Sequence, residues 1–279
     1  MKNLDLDGYA GRSGLDGYAG RGAPDAGLVA GHARQLDDAV RGRRAIPRLT
    51  SEGPLDVDAA YAVQRAALDL RVARGETFVG VKMGFTSRAK MAQMGVADLI
   101  WGLLTDAMVV EDGGRLDHAA LIHPRVEPEL AFLLGEPLSG PVTAATAARA
   151  VAGVAVAYEV LDSRFADFSF SLPDVIADNA SAAAFGVGPW HDPAAVDLSN
   201  LGMLLEIDGR VAAAGSSAAI LGHPLRSLVA AARLAGAAGL ALEPGWVVLA
   251  GAATAAVELP AGAHVRVVAA GLGHVEVTT

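Results

Sequence analysis

Residues 125–134 read RVEPELAFLL, an apolar segment interrupted by Glu127 and Glu129. In a β-strand, side chains two positions apart point to the same face, so the two carboxylates share one. Ionised carboxylates at that spacing repel, and burying them is costly unless positive charge compensates. A third acid, Glu159, sits inside another apolar stretch, VAVAYEVLDS. Three acids embedded in apolar strands call for a cation. The chain has no cysteine, and none of these acids has an obvious histidine partner in sequence. The chemistry is therefore that of a hard, all-oxygen site suited to Mg²⁺ or Mn²⁺, with water and substrate completing the coordination. The same spacing also suits a solvent-facing edge ladder in which Arg125 pairs with a glutamate.

The elements that must position these acids follow from periodicity. Residues 27–42 have helical apolar spacing, which RAIPRLT breaks at Pro47, and PLDVDAAYAVQRAALDLRVARG predicts a second helix that opens on aspartates and ends at Gly75. TFVGVKMGF reads as a strand, TSRAKMAQMGV as a short helix capped by Thr86 or Ser87, and WGLLTDAMVV as extended. After the carboxylate strand, an alanine-rich helix turns into a strand near Val154. LPDVIADNASAAAFGVG then predicts a turn, a short helix and a polar DNAS knot before another strand. The last third reads as hairpin, helix, strand and terminal hairpin. Strands outnumber helices and follow one another directly, which fits an α+β fold with a mixed sheet.

The 279 residues, with 52% hydrophobic and 19% charged side chains, suffice for one large core. A net charge of −9 argues against a nucleic-acid partner, which needs a clustered basic face. The opening stretch has no apolar core like that of a secretion signal, and no run reaches the roughly 18 apolar residues that suggest a membrane span. The expected setting is the cytoplasm, with no membrane partner. LDGYAGR occurs twice, at residues 6–12 and 15–21. Residues 1–26 are read as a flexible leader, and 27–279 as a single catalytic domain with a helical part over about 27–76 and a β-rich core over about 77–279.

Several separated segments, GVKMGFTSRAKMAQMGV, LLTDAM, IHPRVEPELAF, YEVLDSRF, LPDVIADNAS, LGHPL and GWVVLAGA, occur in one order. In this the chain resembles the hydratase and decarboxylase group of the meta-cleavage pathways for aromatic degradation, a branch of the fumarylacetoacetate hydrolase superfamily. The likeness spans residue 35 to the C-terminus. It implies a mixed β-roll core with flanking helices, and a divalent ion held by Glu127, Glu129 and Glu159 that acts as a Lewis acid on a 2-oxo or 2-hydroxy dienoic acid. It implies Lys82 as a cationic anchor or proton shuttle, Asp106 as a proton-handling or supporting group, and Arg125 as a partner for the acids. Asn179 and Ser181 are expected to hydrogen-bond substrate or backbone, and Asp178 to cap a turn. His223, between glycine and proline, reads as a turn residue held by its imidazole. Family likeness further implies a homo-oligomer and association with a sister hydratase.

Hydratases of this group tend to carry an aspartate two residues before the glycine of the strand preceding LLTD. That position is Ile100 here. The segments resemble the decarboxylases more closely, so the expected reaction is loss of the distal carboxylate of 2-oxo-3-hexenedioate to give 2-hydroxy-2,4-pentadienoate and carbon dioxide, with Val and Leu residues lining the pocket. The alternatives are hydration of 2-hydroxypenta-2,4-dienoate, another activity of the superfamily, and a non-catalytic small-molecule binder. The absence of histidine between His32 and His118 weighs against a His-Glu hydrolase.

Overall fold

The structure, a computed structural model, describes residues 24–87 and 99–279. The helix expected over TSRAKMAQMGV and the duplicated leader motif lie outside the described residues. Two helices open the fold, α1 (Ala26–Gly42), capped by Asp25, and α2 (Val57–Val72), capped by Asp56. They are followed by β1 (Phe78–Gly84), β2 (Ile100–Thr105), β3 (Gly114–Arg115) and the carboxylate strand β4 (Arg125–Leu134). Helix α3 (Ala144–Ala150) passes directly into β5 (Val151–Leu161), three residues earlier than the sequence suggests, because Val151 already joins the ladder opposite Leu134. Next come α4 (Leu172–Ala177), a 3₁₀ turn over Asn179–Ser181, and β6 (Ala182–Val187). The hairpin β7 (Gly202–Ile207) and β8 (Arg210–Ser216) leads to α5 (Pro224–Ala237). Strands β9 (Val247–Ala252), β10 (Val257–Glu258), β11 (His264–Ala269) and β12 (Gly273–Thr278) complete the fold.

Among the described residues, one sheet runs β2-β1-β9-β4-β5-β6, with β10 added against the start of β4, and the other runs β3-β12-β11-β7-β8. β1 and β9 are parallel whereas β4 is antiparallel to both β9 and β5, so the first sheet is mixed, as an α+β fold allows. Alternation along the strands decides what each face does. Val126, Leu130, Phe132 and Leu134 of β4, and Val154, Val156, Tyr158 and Val160 of β5, enter the core shared with Val265, Val267 and Val275 of the second sheet. The intervening positions, Glu127, Glu129 and Ala131 on β4 and Ala157 and Glu159 on β5, face away from that core.

A second apolar cluster, including Leu36, Val63, Phe165, Val175 and Ile176, fastens the opening helices and α4 to the sheet. The buried Gln64 pins the same layers by donating from Nε2 to Trp101 O at 3.0 Å and to Ile176 O at 2.9 Å. Among the described residues no helix is long and apolar enough to cross a membrane.

Candidate metal centre

Glu127 lies directly opposite Glu159 in the β4–β5 ladder, and Glu129 follows two positions along β4 opposite Ala157. Directly opposed residues of an antiparallel pair project to one side, so the ladder itself gathers the acids. Each of the three offers a carboxylate oxygen, and these oxygens lie within 4.8 Å of one another. The solvent-edge alternative fails on burial: Glu127 is 5% exposed, Glu129 0% and Glu159 1%.

Lys82 brings the compensating charge from β1. Its neighbours Val81 and Met83 enter the inter-sheet core, so Lys82 emerges on the opposite face. Its Nζ lies 2.9 Å from Glu159 Oε1 and donates to the carbonyl of Ala180 at 3.0 Å. Burial pushes the Glu129 carboxyl well above its ordinary range, reinforced by Glu159 and opposed by Lys82. Burial likewise pushes Glu159 up to about 7, with Lys82 opposing and Glu127 adding to the rise. For Lys82 burial works against the charged form, but Glu159, Glu129 and Glu127 outweigh it and hold the ammonium above the ordinary lysine value.

The donor set fits a divalent ion. Glu129 Oε2 accepts from Gly251 N at 2.8 Å, but its Oε1, and both oxygens of Glu159 apart from the Lys82 ion pair, receive no hydrogen bond. Buried acceptors are seldom left so. Hard oxygen donors that converge with unused lone pairs are what Mg²⁺ or Mn²⁺ requires.

Lys82 and Glu127 line a cavity of about 500 Å³. Its apolar wall contains Ile100, Leu161, Phe168, Phe170 and Val175, so it is more aromatic than the valine and leucine lining expected. The remaining candidates divide. Ser181 lines the cavity. Arg125 also lines it, but its guanidinium stacks on the Phe168 ring at 4.2 Å, and the ammonium paired with Glu159 is that of Lys82.

Asn179 does not line the cavity and takes the backbone role among those expected. Its Oδ1 accepts from Leu103 N at 2.9 Å and its Nδ2 donates to Leu103 O at 2.8 Å, so β2 uses both ends of the amide. Asp106 is likewise outside the cavity. It accepts from Thr77 N at 3.0 Å and Thr77 Oγ1 at 2.7 Å, where it ties the end of β2 to the start of β1. Those bonds hold its carboxyl below the usual range, which leaves it unsuited to handling protons near neutrality. Asp178 does more than cap a turn, since it pairs with the buried Arg164. His223 caps α5, its Nδ1 accepting from Leu225 N at 3.1 Å, as its turn reading requires.

Two contributors escaped the sequence because they are backbone groups: the Gly251 amide and the Ala180 carbonyl. Gly251 has φ +104°, and a Cβ there would lie 2.2 Å from Thr86 Oγ1, so glycine alone allows both the turn and the close approach. A glycine at the end of an apolar strand was the only signal available.

Known proteins resemble this chain in sequence and in fold. The model of the fumarylacetoacetate (FAA) hydrolase C-terminal family matches residues 81–279. The chain is 56% identical over 247 residues to a 4-oxalocrotonate decarboxylase of Pseudomonas sp., covering 88% of this chain and 96% of that one. It is 36% identical over 254 residues to a 2-hydroxyhexa-2,4-dienoate hydratase of Comamonas testosteroni, covering 89% and 96%. Among solved structures, the 4-oxalocrotonate decarboxylase from Pseudomonas putida G7, complexed with magnesium and adipate, superposes with a TM-score of 0.89 at 37% identity, covering 92% of this chain and 99% of that one.

Proposed function

The chain belongs to the fumarylacetoacetate hydrolase family, and from that premise we propose that it is a divalent-metal-dependent carboxy-lyase acting on 2-oxo-3-hexenedioate in the meta-cleavage degradation of aromatic compounds. The observation that carries the choice of reaction is Ile100. It is buried in the cavity wall at the position where the hydratase pattern has an aspartate, and among the described lining residues Glu127 is the only acid. Addition of water to a dienol needs a group that orients or deprotonates the water, and an aliphatic side chain does neither.

Glu127, Glu129 and Glu159 would hold Mg²⁺ or Mn²⁺, which supplies the electrophile at the 2-oxo acid end that pyridoxal phosphate or thiamine provides in other decarboxylases. In the reaction the C5–C6 bond breaks and C6 leaves as carbon dioxide. The bonding pair forms C4=C5, the C3=C4 pair shifts to C2=C3, and the 2-oxo oxygen gains a proton to give 2-hydroxy-2,4-pentadienoate. Lys82, kept charged by the acids around it, is the residue poised to offset the charge developing on that oxygen, and the proton itself comes from solvent. Ile100, Phe168, Phe170 and Val175 keep water from the chain of the substrate, and an apolar surround favours departure of a neutral molecule over retention of a carboxylate. Ser181, whose Oγ also donates to Asp178 Oδ2 at 3.4 Å, offers one of the hydroxyls on the cavity wall, beside Thr86, Ser87 and Thr254. Adipate in the solved relative is, like 2-oxo-3-hexenedioate, a six-carbon diacid, which supports the substrate class.

The second reading, hydration of 2-hydroxypenta-2,4-dienoate, draws on the likeness to hydratases. Supplying the protein and Mg²⁺ with each compound separates the two. The proposal expects carbon dioxide from the dioic acid and slow or no hydration of the dienoate. Rapid hydration with no carbon dioxide would reverse the assignment.

A further inference from the structure

Arg164 and Asp178 are 6% and 2% exposed, form an ion pair, and neither lines the carboxylate cavity. Burying such a pair confers little stability over apolar packing, so its purpose lies in what it holds. The Arg164 guanidinium donates through Nε to Asp178 Oδ1, through Nη2 to the Asp178 carbonyl, and through Nη1 to the Ala182 carbonyl at 3.2 Å, while the Arg164 amide donates to Asp178 Oδ2 at 3.1 Å. One side chain therefore staples both ends of the segment 178–182.

The three residues between the staples, Asn179, Ala180 and Ser181, all have left-handed backbone, with φ of 51°, 51° and 60°. Three consecutive non-glycine residues in that region persist only when their surroundings over-determine them. Asn179 is fastened to Leu103 on one side and the Arg164 fork closes the other. The middle residue of this strained turn is Ala180, whose carbonyl accepts from Lys82 Nζ.

We infer that Arg164 is a positioning residue for the reaction: its fork clamps residues 178–182 so that the Ala180 carbonyl fixes the Lys82 ammonium beside the glutamates. Lysine cannot replace it, because an ammonium keeps the ion pair with Asp178 but does not span two carbonyls in a planar fork. The inference rests on the proposed role of Lys82 and on no particular substrate.

The test is a double-mutant cycle on the Mg²⁺-loaded protein, with amide hydrogen exchange measured on the metal-free protein. Arg164→Lys is expected to fold, to bind Mg²⁺ as wild type does, to keep KM nearly unchanged and to lose kcat by about 10- to 100-fold, the effect of a slightly misplaced group. In a Lys82→Ala background the same substitution should cost almost nothing, since the group it positions is gone. Exchange of the amides of residues 179–182 should accelerate while β5 and the rest of β6 stay protected. Wild-type turnover, by loss of carbon dioxide or by hydration, judges the proposed function, and the exchange readout judges the clamp even if neither substrate turns over. Should Arg164→Lys fail to fold, Asp178→Asn, which is isosteric and loses the bond from the Arg164 amide, should show the same pattern with a smaller loss. Unchanged kcat, unchanged exchange, or an equal loss of kcat with and without Lys82 would each overturn the inference.

Discussion

Glu127 faces Glu159 at a cross-strand position where like charges destabilise a sheet. Lys82 offsets part of that repulsion, and a bound ion would offset the remainder. Replacing Glu127, Glu129 or Glu159 by glutamine keeps the shape and removes a charged oxygen, so each variant should fold yet bind Mg²⁺ at least about tenfold more weakly, the smallest loss usual even for supporting residues around a metal. Calorimetric titration checks this, and unchanged affinity in any one variant removes that residue from the centre. Proton linkage gives a second expectation. Burial pushes Glu159 up to about 7 in the metal-free protein, so below that pH a proton occupies an oxygen that the ion needs. Apparent Mg²⁺ affinity should therefore rise from pH 6 to 8, with proton release visible as a dependence of binding heat on buffer ionisation enthalpy. The same raised pKa predicts that the metal-free fold loses stability as pH climbs from the ordinary carboxylate range through about 7, and that Mg²⁺ restores it.

At the level of elements, Asp174 joins the opening helices to the site. It accepts from Thr50 N at 3.0 Å and Thr50 Oγ1 at 2.8 Å, and from Ser171 N at 2.9 Å and Ser171 Oγ at 2.6 Å, closing a capping box at the start of α4. Burial alone would raise its pKa, but these bonds outweigh it and hold the carboxyl below the usual value. A depressed carboxylate contributes stability that is present above the ordinary range near pH 4 and is lost as pH falls through the depressed value. Asp174→Asn should cost about 1.5–3 kcal/mol, the worth of a hydrogen bond to a charged group, and should flatten the acid limb of a denaturation series. Equal acid sensitivity in variant and wild type would contradict it. The two-residue period of β4 and β5 made their shared acidic face readable, since alternation alone separates Glu127, Glu129 and Glu159 from the inter-sheet valines. Asn179 and Asp106 read as site residues because polar groups beside apolar strands do need partners, but those partners are the Leu103 backbone and Thr77, which only the folded pairing reveals. The Arg164–Asp178 pair was hidden for the same reason: the two residues, 14 positions apart, meet only when α4 and its strained turn fold back.

Across the whole molecule, the two sheets and the opening helices exist in this arrangement to hold β4, β5 and β1 so that three acids and one lysine meet above an apolar wall. The order of elements was legible from periodicity and capping. The cavity was not, because its lining comes from β1, β2, β4 and β5, from the chain around Phe168 and Phe170, and from residues 252–256. Catalysis by this constellation needs the ion that Glu127, Glu129 and Glu159 would hold, together with Lys82. The most direct test follows carbon dioxide released from 2-oxo-3-hexenedioate by protein stripped with EDTA and then titrated with Mg²⁺. The expected metal dependence is no release above the uncatalysed rate after stripping, and full recovery as Mg²⁺ saturates the glutamates, with 2-hydroxy-2,4-pentadienoate as the co-product. Carbon dioxide release undiminished by chelation would contradict it.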